Sequence, residues 1–492
     1  MLAHVPTGRR GGWARRGPPR TELIGGGCIN PVLNVPVVTA TKHDRRFHDS
    51  HWVDSGELHG VSKHQYRHQW PTIQYYLRMD TGNPGKLTDH VTLGALTRTI
   101  PRFIVDEVLT ETQSREKRSR ALPAHVVVYF VLALALFTDG YEEVIRKLVN
   151  GLRFARVWSG EWNVPTTSAL SQARKRLGAE PIKVLFERVA VPVAKPGTPG
   201  AWIRHWRVMA LDGVMIDVPD TPENLQYYGK PEDDTRRPFP QTRTVGLAEA
   251  GTRAIIAVHP GTIYQGEREL TKPLISSLTP EMLITADRGF FSFEMWRDCL
   301  TSGAALVWRV SSTVGLPVLQ VLPDGSYLSE ITNQPAHSRT RIPLDKVADP
   351  RLATHIPVRV VEYQVQTDPT DETTSETFRI ITNILDPDEL HATEIAQAYH
   401  ERWNMESAFR EIETYLRLGK GIRSKTPEMV RQELYGLFLA HYAIRSFMAE
   451  AADTVDIDPD RISFTRTLHI IRRRITDPAG LSPLHPKNPP PA

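Results

Sequence analysis

Hydrophobic positions recur with a helical period from about Leu87 to about residue 195 of this 492-residue chain. The apolar segment that begins at Ala124 is typical of one long buried helix, or of two helices that break near Gly140. Thr166 is well placed to cap a later helix, because its side chain can accept a hydrogen bond from the first helical turn. The pattern predicts a helical N-terminal domain over residues 87–195.

Strand-like patterns replace the helical period after residue 200. Strands are predicted over residues 206–218, 242–247, 253–259, 282–286 and 304–310, and helices over residues 267–277 and 293–300. This order of strands and crossover helices predicts an α/β fold with a mixed sheet.

The pattern changes again at residue 311, where short strand-like runs alternate with turn signals. Helical patterning resumes at Ala392, with helices predicted over residues 400–417 and 429–450. The predicted divisions beyond residue 200 are an α/β domain over residues 201–310 and 386–450, a β insertion over residues 311–385, and a basic C-terminal tail over residues 451–492.

Residues 1–86 follow neither period. Five arginines precede the first acidic residue, Glu22, and glycine and proline interrupt the segment. These features predict a basic extension that is disordered. The start of the chain has no apolar core of the kind that a signal peptide needs.

Composition and charge limit the cellular compartments and the binding partners that we expect for this chain. The longest apolar run, residues 126–137, is shorter than the roughly 18 residues that a membrane helix needs. Two cysteines, Cys28 and Cys299, provide neither a zinc framework nor a disulfide scaffold. The net charge of +4 permits binding to nucleic acid without establishing it. We therefore expect a cytoplasmic protein with no membrane segment.

Three acidic residues come from separate predicted elements. Asp212 lies inside a predicted strand, Asp287 at the end of another, and Glu406 on a predicted helix. Carboxylates that converge from separate elements can hold two Mg²⁺ ions for phosphodiester chemistry. Gly213 and Gly289 follow the aspartates closely and leave room for a substrate backbone. Either aspartate taken alone is equally well explained as a turn residue.

Tyr399, Arg402 and Glu406 are spaced at i, i+3 and i+7, so they share one face of the predicted helix. Arg402 can clamp a phosphate through two parallel hydrogen bonds. The alternative is a simple i,i+4 ion pair between Arg402 and Glu406 on an exposed helix, and the sequence leaves both open.

A short basic helix after Thr166 is a candidate DNA-reading element. Its inner face is expected to carry the apolar residues, and its outer face Gln172, Arg174, Lys175 and Arg176. A basic helix that follows another helix is typical of a helix-turn-helix recognition element. A solvated charged face explains the same pattern.

Together these motifs resemble those of the DDE transposases of the insertion sequence 4 family. The resemblance covers roughly residues 87–450 and rests on residues 122–133, 165–178, 210–213, 286–290 and 399–406. It implies an RNase H-like catalytic domain with a β insertion between the second and third acids. In the family roles, Asp212, Asp287 and Glu406 are metal ligands, and Tyr399 and Arg402 belong to the helical signature.

The resemblance also implies the reaction and its partners. The expected function is cut-and-paste transposition, with DNA cleavage at transposon ends and strand transfer to target DNA. Two Mg²⁺ ions are the expected cofactors, and Mn²⁺ can substitute. The expected partner is double-stranded DNA, both the terminal inverted repeats and the target, bound by a dimer. Trp403 and Trp308 are candidates for stacking on an unpaired base, or for packing in the core.

One position departs from the family signature, which places Lys seven residues after the glutamate. Glu413 stands there in this chain. Arg410, Arg417 or Lys420 could supply the missing positive charge. Glu413 favours one alternative, a catalytically impaired or repurposed DNA-binding protein derived from a transposase. A second alternative is an RNase H-like nuclease without joining activity.

Overall fold

A computed structural model of the protein describes residues 93–116, 122–154, 163–231, 238–333, 341–347, 349–366, 375–417 and 421–475. The predicted N-terminal extension, the last 17 residues of the predicted tail (476–492) and Lys420 lie outside the described residues.

The N-terminal region is helical where the structure describes it, as predicted. Its helices are α1 (Arg102–Glu111), α2 (Ala124–Leu136), α3 (Tyr141–Phe154), α4 (Thr167–Leu177) and α5 (Glu180–Val189), preceded by a 3₁₀ turn at Gly94–Arg98. The apolar segment from Ala124 therefore forms two helices, since Phe137 adopts an extended conformation after α2. Thr166 caps α4 by accepting a hydrogen bond from the backbone N–H of Ala169 at 3.2 Å.

A mixed sheet forms the centre of the molecule. Its strands are β1 (Trp202–Ile203), β2 (Trp206–Asp217), β3 (Gln241–Glu249), β4 (Ile255–Thr262), β5 (Met282–Ala286), β6 (Ala305–Arg309), β7 (Gln320–Val321), β8 (Tyr327–Thr332), β9 (His355–Gln366) and β10 (Ser375–Thr382). The order across the sheet is β4-β3-β2-β5-β6-β10-β9-β8-β7, and β1 pairs with β2. Strands β2, β5 and β6 are parallel, and the other neighbours are antiparallel. The expected α/β class with a mixed sheet is confirmed.

The predicted β insertion extends this same sheet. Strand β10 pairs antiparallel with β6, for example through Ile380 and Arg309, and β9, β8 and β7 continue outward from it. Backbone hydrogen bonds therefore run without interruption from the strands that carry the aspartates into the insertion.

Helices connect and cover the sheet. They are α6 (Pro222–Tyr228), α7 (Glu267–Thr271), α8 (Phe293–Leu300), α9 (Ala392–His400), α10 (Trp403–Arg410), α11 (Pro427–Thr454) and α12 (Phe464–Arg473), with a π-helical segment at Glu411–Leu416. The prediction of one continuous helix over residues 400–417 is wrong. A turn at residues 401–402 separates α9 from α10, and the chain then widens into the π-helix.

One hydrophobic core is shared by the helical region and the sheet. Tyr129 of α2, Phe438 of α11 and Leu247 of β3 belong to the same buried cluster. On the other sheet face, Ile395 of α9 packs in a second cluster that includes Val307 of β6. Across the described ranges no single helix has the length and apolar character to cross a membrane; α2 and the first part of α3 pass that test together, but with a bend of 110° between them.

Candidate active site

Asp212 and Asp287 lie side by side because of the register between two parallel strands. Leu211 of β2 pairs with Ala286 at the end of β5. Asp212 is the next residue of β2, and Asp287 directly follows β5, so the two aspartates lie side by side on neighbouring parallel segments, as the sequence predicts. Asp212 lies in the middle of β2, which continues to Asp217, and Asp287 lies at the carboxyl end of β5.

Tyr399 and Arg402 link these aspartates to Glu406. The Tyr399 hydroxyl donates to Oδ1 of Asp287 at 3.2 Å. The Arg402 guanidinium donates through Nη1 to Oδ2 of Asp212 at 3.0 Å and through Nη2 to Oε1 of Glu406 at 3.1 Å. The i,i+4 ion pair expected between Arg402 and Glu406 is present, but Arg402 is buried rather than on an exposed helix. Arg402 therefore contacts two of the three acids, and Tyr399 contacts the third.

A buried ionic network lies five residues beyond Glu406, around Glu411. Glu411, the first residue of the π-helix, accepts hydrogen bonds from Arg445 Nε at 2.8 Å and from Arg253 Nη1 at 3.3 Å, and it pairs with His441 Nε2 at 3.1 Å. Burial acts to raise the pKa of Glu411, but His441 and Arg445 lower it to about 2. The network anchors the C-terminal end of α10 against α11 and the turn between β3 and β4.

The site carries excess negative charge. Burial raises the pKa of Asp212 to about 6, although the charge of Arg402 and a hydrogen bond from the Gly213 N–H oppose the rise. The charges of Glu406 and Glu267 raise it further. Burial, and then the charge of Asp287, also raise the pKa of Tyr399, so its hydroxyl keeps its proton. One guanidinium thus does not neutralise the carboxylates around it.

Arg309 and Glu267 join the site although the sequence analysis did not identify them. Trp308 pairs with Ala286, so Arg309 stands beside Asp287 on the neighbouring parallel strand, with Nη1 at 3.9 Å from Oδ1. The same logic of parallel strand ends that links the two aspartates could have indicated Arg309. No sequence pattern marks Glu267, which stands out only through its place in the fold.

The donor set has the chemistry that a hard divalent cation requires. Carboxylate oxygens are the preferred ligands of Mg²⁺, and Asp212, Asp287 and Glu406 bring them from three elements. Arg402 forms ion pairs with Asp212 and Glu406, and within the described chain no group of three or more His, Cys, Asp or Glu side chains is placed so that it could hold a metal ion. The residues supply the type of oxygen ligand that Mg²⁺ prefers. In the structure, the positive charge beside Asp212 and Glu406 comes from Arg402.

The basic helix α4 differs from its predicted exposure at one residue. Gln172, Lys175 and Arg176 are exposed, as predicted. Arg174 is fully buried, and its expected outward position is wrong. Its guanidinium donates to Gln432 Oε1 at 2.8 Å and to Ser424 Oγ at 3.0 Å, so it fastens α4 to the segment that leads into α11.

The charged residues that follow Glu406 differ in their exposure to solvent. Arg410 and Glu413 are exposed. Arg417 instead lines a cavity of about 250 Å³ together with Glu433, and burial lowers the pKa of its guanidinium. Of the two tryptophans considered for base stacking, Trp308 is 0% exposed and belongs to the core, whereas Trp403 is 47% exposed beside Arg402.

Comparison with known proteins identifies the class. The profile of the insertion element 4 transposase N-terminal region matches residues 90–187, and that of the transposase DDE domain matches residues 206–443. The chain is a DDE transposase by these matches. Within that class it belongs to the insertion sequence 4 family.

One relative and one solved structure illustrate the similarity. The transposase InsG for insertion sequence element IS4 of Escherichia coli (strain K12) is 26% identical over 389 residues, which cover 77% of this chain and 82% of that protein. A solved piggyBac transposase synaptic complex with hairpin DNA is 12% identical, with a TM-score of 0.39 over 80% of each chain.

Proposed function

We propose that the protein performs cut-and-paste transposition with an RNase H-like catalytic domain. It cleaves DNA at the ends of its element and transfers the freed strands to target DNA. The observation that carries the proposal is the set of contacts in which Arg402 bonds to Asp212 and to Glu406 while Tyr399 bonds to Asp287. Family membership supports the same reaction class.

Asp212, Asp287 and Glu406 are the residues that would hold two divalent ions, with Mg²⁺ as the physiological choice and Mn²⁺ as a substitute. When bound, such ions supply an activated water and stabilise the charge on the leaving oxygen. Tyr399 orients Asp287 through its hydroxyl. If bound cations neutralised Asp212 and Glu406, the planar guanidinium of Arg402 would be available to clamp a phosphate.

The proposed reaction has two covalent steps, and each is an in-line displacement at phosphorus. In the first, water forms a new P–O bond and the bond to the 3′-oxygen breaks, which leaves a 3′-hydroxyl and a 5′-phosphate. In the second, that 3′-hydroxyl gives up its proton and attacks another phosphodiester, whose own 3′-oxygen leaves. Attack on the opposite strand gives a hairpin, as the family resemblance implies, and attack on target DNA gives the joined product.

The DNA partner is double-stranded, and the two ends are brought together by a dimer in the bacterial cytoplasm. Gln172, Lys175 and Arg176 on the exposed face of α4 are proposed DNA contacts. Arg410 is proposed to supply the positive charge that Glu413 does not, because it is exposed one turn after Glu406. The proposed division is a DNA-binding helical domain followed by a catalytic domain, and the separate profile matches over residues 90–187 and 206–443 support it.

A cleavage assay on end DNA with Mg²⁺ tests the proposal. The Asp287→Ala variant should lose cleavage and keep end binding nearly intact. Asp298→Ala is the matched control, since this partly exposed aspartate of α8 pairs with Arg297 outside the site. Retained cleavage in Asp287→Ala would rule out the proposed site.

A second candidate function is DNA binding without catalysis. The exposed Glu413 favours it, because an acid there repels a phosphate. A pure binder shifts end DNA in a gel and leaves it unnicked. A nuclease without joining activity would give cleaved DNA and no joined product, so the same reactions separate all three functions.

A further inference from the structure

Arg253 contacts both ends of the helix that carries Glu406. Its Nε donates to Asn404 Oδ1 at 3.2 Å, and its Nη1 donates to Glu411 Oε1 at 3.3 Å. Asn404 is the second residue of α10, and Glu411 directly follows its last residue. Both partners are buried. One guanidinium therefore spans nearly the whole length of α10.

These contacts lie on the side of α10 that faces away from Glu406. Asn404 and Glu411 are seven residues apart, so they share one side of the helix. Glu406 is two residues after Asn404, which is roughly 200° around the helix axis. On that opposite side it accepts a hydrogen bond from Arg402 Nη2 at 3.1 Å. A rotation of α10 that moves Glu406 therefore stretches the contacts with Arg253.

A glycine of β3 lets α10 pack close to Asp212. Gly246 pairs with Asp212 in the register between β3 and β2. A Cβ atom on Gly246 would come within 2.7 Å of Cε of Met405, a fully buried residue of α10 next to Glu406. Because a methionine side chain is flexible, this contact alone does not fix the rotation of the helix. The hydrogen bonds of Arg253 supply that restraint.

The backbone of Arg253 has a conformation that is uncommon for its residue type. Arg253 lies in the turn between β3 and β4 with a φ of 57°, in the left-handed region that favours glycine. Its Nη2 donates to Asp460 Oδ2 at 2.9 Å, so the side chain is also held from outside α10. Such a conformation persists where the surrounding contacts impose it. The contacts of the side chain therefore account for an arginine at this position.

Building on the proposed function, we propose that Arg253 is a positioning residue for the active site. It fixes the rotation of α10 against β3 through Asn404 and Glu411, and it thereby sets where Glu406 presents its carboxylate beside Asp212. Arg253 acts through α10 and does not itself contact the DNA.

Single-turnover cleavage by the full chain, with Mg²⁺ and saturating duplex DNA that carries the terminal repeat, tests this role. Arg253→Lys keeps the positive charge, but one ammonium cannot bond to both ends of α10. It should slow cleavage at least about tenfold, because displacing a reacting group by about 1 Å costs up to about 100-fold. Binding of the same DNA should not change. Asn404→Ala should slow cleavage in the same direction, and it gives the answer if Arg253→Lys does not fold.

Asp460→Asn is the matched control. It removes the charge partner of Arg253 that lies outside α10, while asparagine still accepts a hydrogen bond there. Its unfolding midpoint in urea should fall, and its cleavage rate per folded molecule should equal that of the parent. If Arg253→Lys and Asn404→Ala also lower only the midpoint and cleave at the parental rate, the positioning role is overturned while the proposed function stands.

A double-mutant cycle gives a readout that does not require cleavage. Arg253 and Glu406 share no hydrogen-bond or ion-pair partner in the part of the chain that the structure describes, so independent sites should give additive changes in unfolding free energy. We expect Glu406→Gln to cost less stability in Arg253→Lys, or in Asn404→Ala, than in the parent, because the pair with Arg402 is already displaced there. Additive effects overturn the positioning role. If the parent does not cleave, the proposed function fails and this cycle alone decides the role of Arg253.

Discussion

Arg402 donates a hydrogen bond of 3.0 Å to Asp212, and this contact ties the helical signature to the central sheet. The same guanidinium reaches Glu406 at 3.1 Å, so a single side chain holds two of the three acids. Arg402 supplies the positive charge that faces both Asp212 and Glu406. It is therefore both a structural residue and a proposed phosphate ligand.

Arg402→Lys should show that the forked shape matters as well as the charge. A lysine ammonium is a single point and cannot bridge Asp212 and Glu406 in the same way. We expect the variant to lose about 1–2 kcal/mol of unfolding free energy, and Arg402→Gln about 1–3 kcal/mol, because the pair is only partly buried. Urea denaturation measures both. A lysine variant with the stability and the cleavage rate of the parent would contradict this view of Arg402.

Asp212→Asn should stabilise the protein at neutral and alkaline pH. The pKa of Asp212 is raised by burial from 3.8 to about 6, so the folded state holds the proton more tightly than the unfolded state does. The parent protein therefore loses stability as pH rises from about 4 to about 6, by roughly 3 kcal/mol at about 1.4 kcal/mol per pKa unit. The asparagine variant lacks this loss.

The measurement is urea unfolding of both proteins in EDTA at pH 4, 5, 6 and 8. The stability advantage of Asp212→Asn should grow through this window and level off above pH 6. An advantage that is the same at every pH would show that the carboxyl of Asp212 titrates normally.

Arg174→Ala should destabilise the fold, whereas Lys175→Ala and Arg176→Ala should weaken DNA binding. Arg174 is buried and bonded to Gln432 and Ser424, and removal of one partner of a buried polar network costs about 3–5 kcal/mol. The two exposed neighbours are expected to change stability by less than about 0.5 kcal/mol. Each should reduce the slope of log affinity against log salt by about one. Unchanged affinity for the exposed pair would remove α4 from the DNA interface.

Glu413→Lys should strengthen binding to transposon ends. The change replaces an exposed acid by the residue type of the family signature, and it should raise the salt slope by about one. Glu413→Gln separates loss of repulsion from gain of attraction, and Arg410→Ala tests the cation proposed to compensate. Salt-dependent binding assays compare the three. If Arg410→Ala has no effect on the parent protein, Arg410 does not play this part.

Trp403→Ala should impair DNA processing while leaving the fold intact. Trp308→Ala should instead destabilise the fold. Trp403 is nearly half exposed, so its ring is available to an unpaired base, and such stacking contributes about 1–3 kcal/mol per base. Trp308 is fully buried, and its truncation should remove about 3–5 kcal/mol of stability. Thermal unfolding and hairpin formation on end DNA distinguish the two. Normal processing by Trp403→Ala would leave this tryptophan without a role in the reaction.

Local sequence patterns predicted the features that depend on near neighbours. The break before α3, the Thr166 cap and the strands of the sheet follow from periodicity and capping chemistry within a few residues. The sequence also predicted that Asp212 and Asp287 could face each other across adjacent strands, and the pairing of Leu211 with Ala286 places them side by side. These are cases in which backbone geometry alone decides the outcome.

Long-range contacts account for what the patterns missed. Arg174 is buried because Gln432 and Ser424 meet it from 258 and 250 residues away along the chain. A turn separates α9 from α10, and across it Tyr399 contacts Asp287 while Arg402 contacts Asp212. The local pattern predicted a continuous helix here and gave no sign of this turn. Glu267 likewise influences Asp212 only because the fold packs α7 beside Gly213 and Gly289.

The π-helix after α10 changes the direction in which the following side chains point, so spacing along the sequence does not fix their positions. A π turn holds about one residue more than an α turn, so each such insertion rotates the following side chains by roughly 100° around the axis. Glu413 lies inside this wider stretch. In a relative whose helix stays regular, the seventh residue after the glutamate would point in another direction. Equal spacing in two aligned chains therefore does not guarantee that the two side chains address the same phosphate.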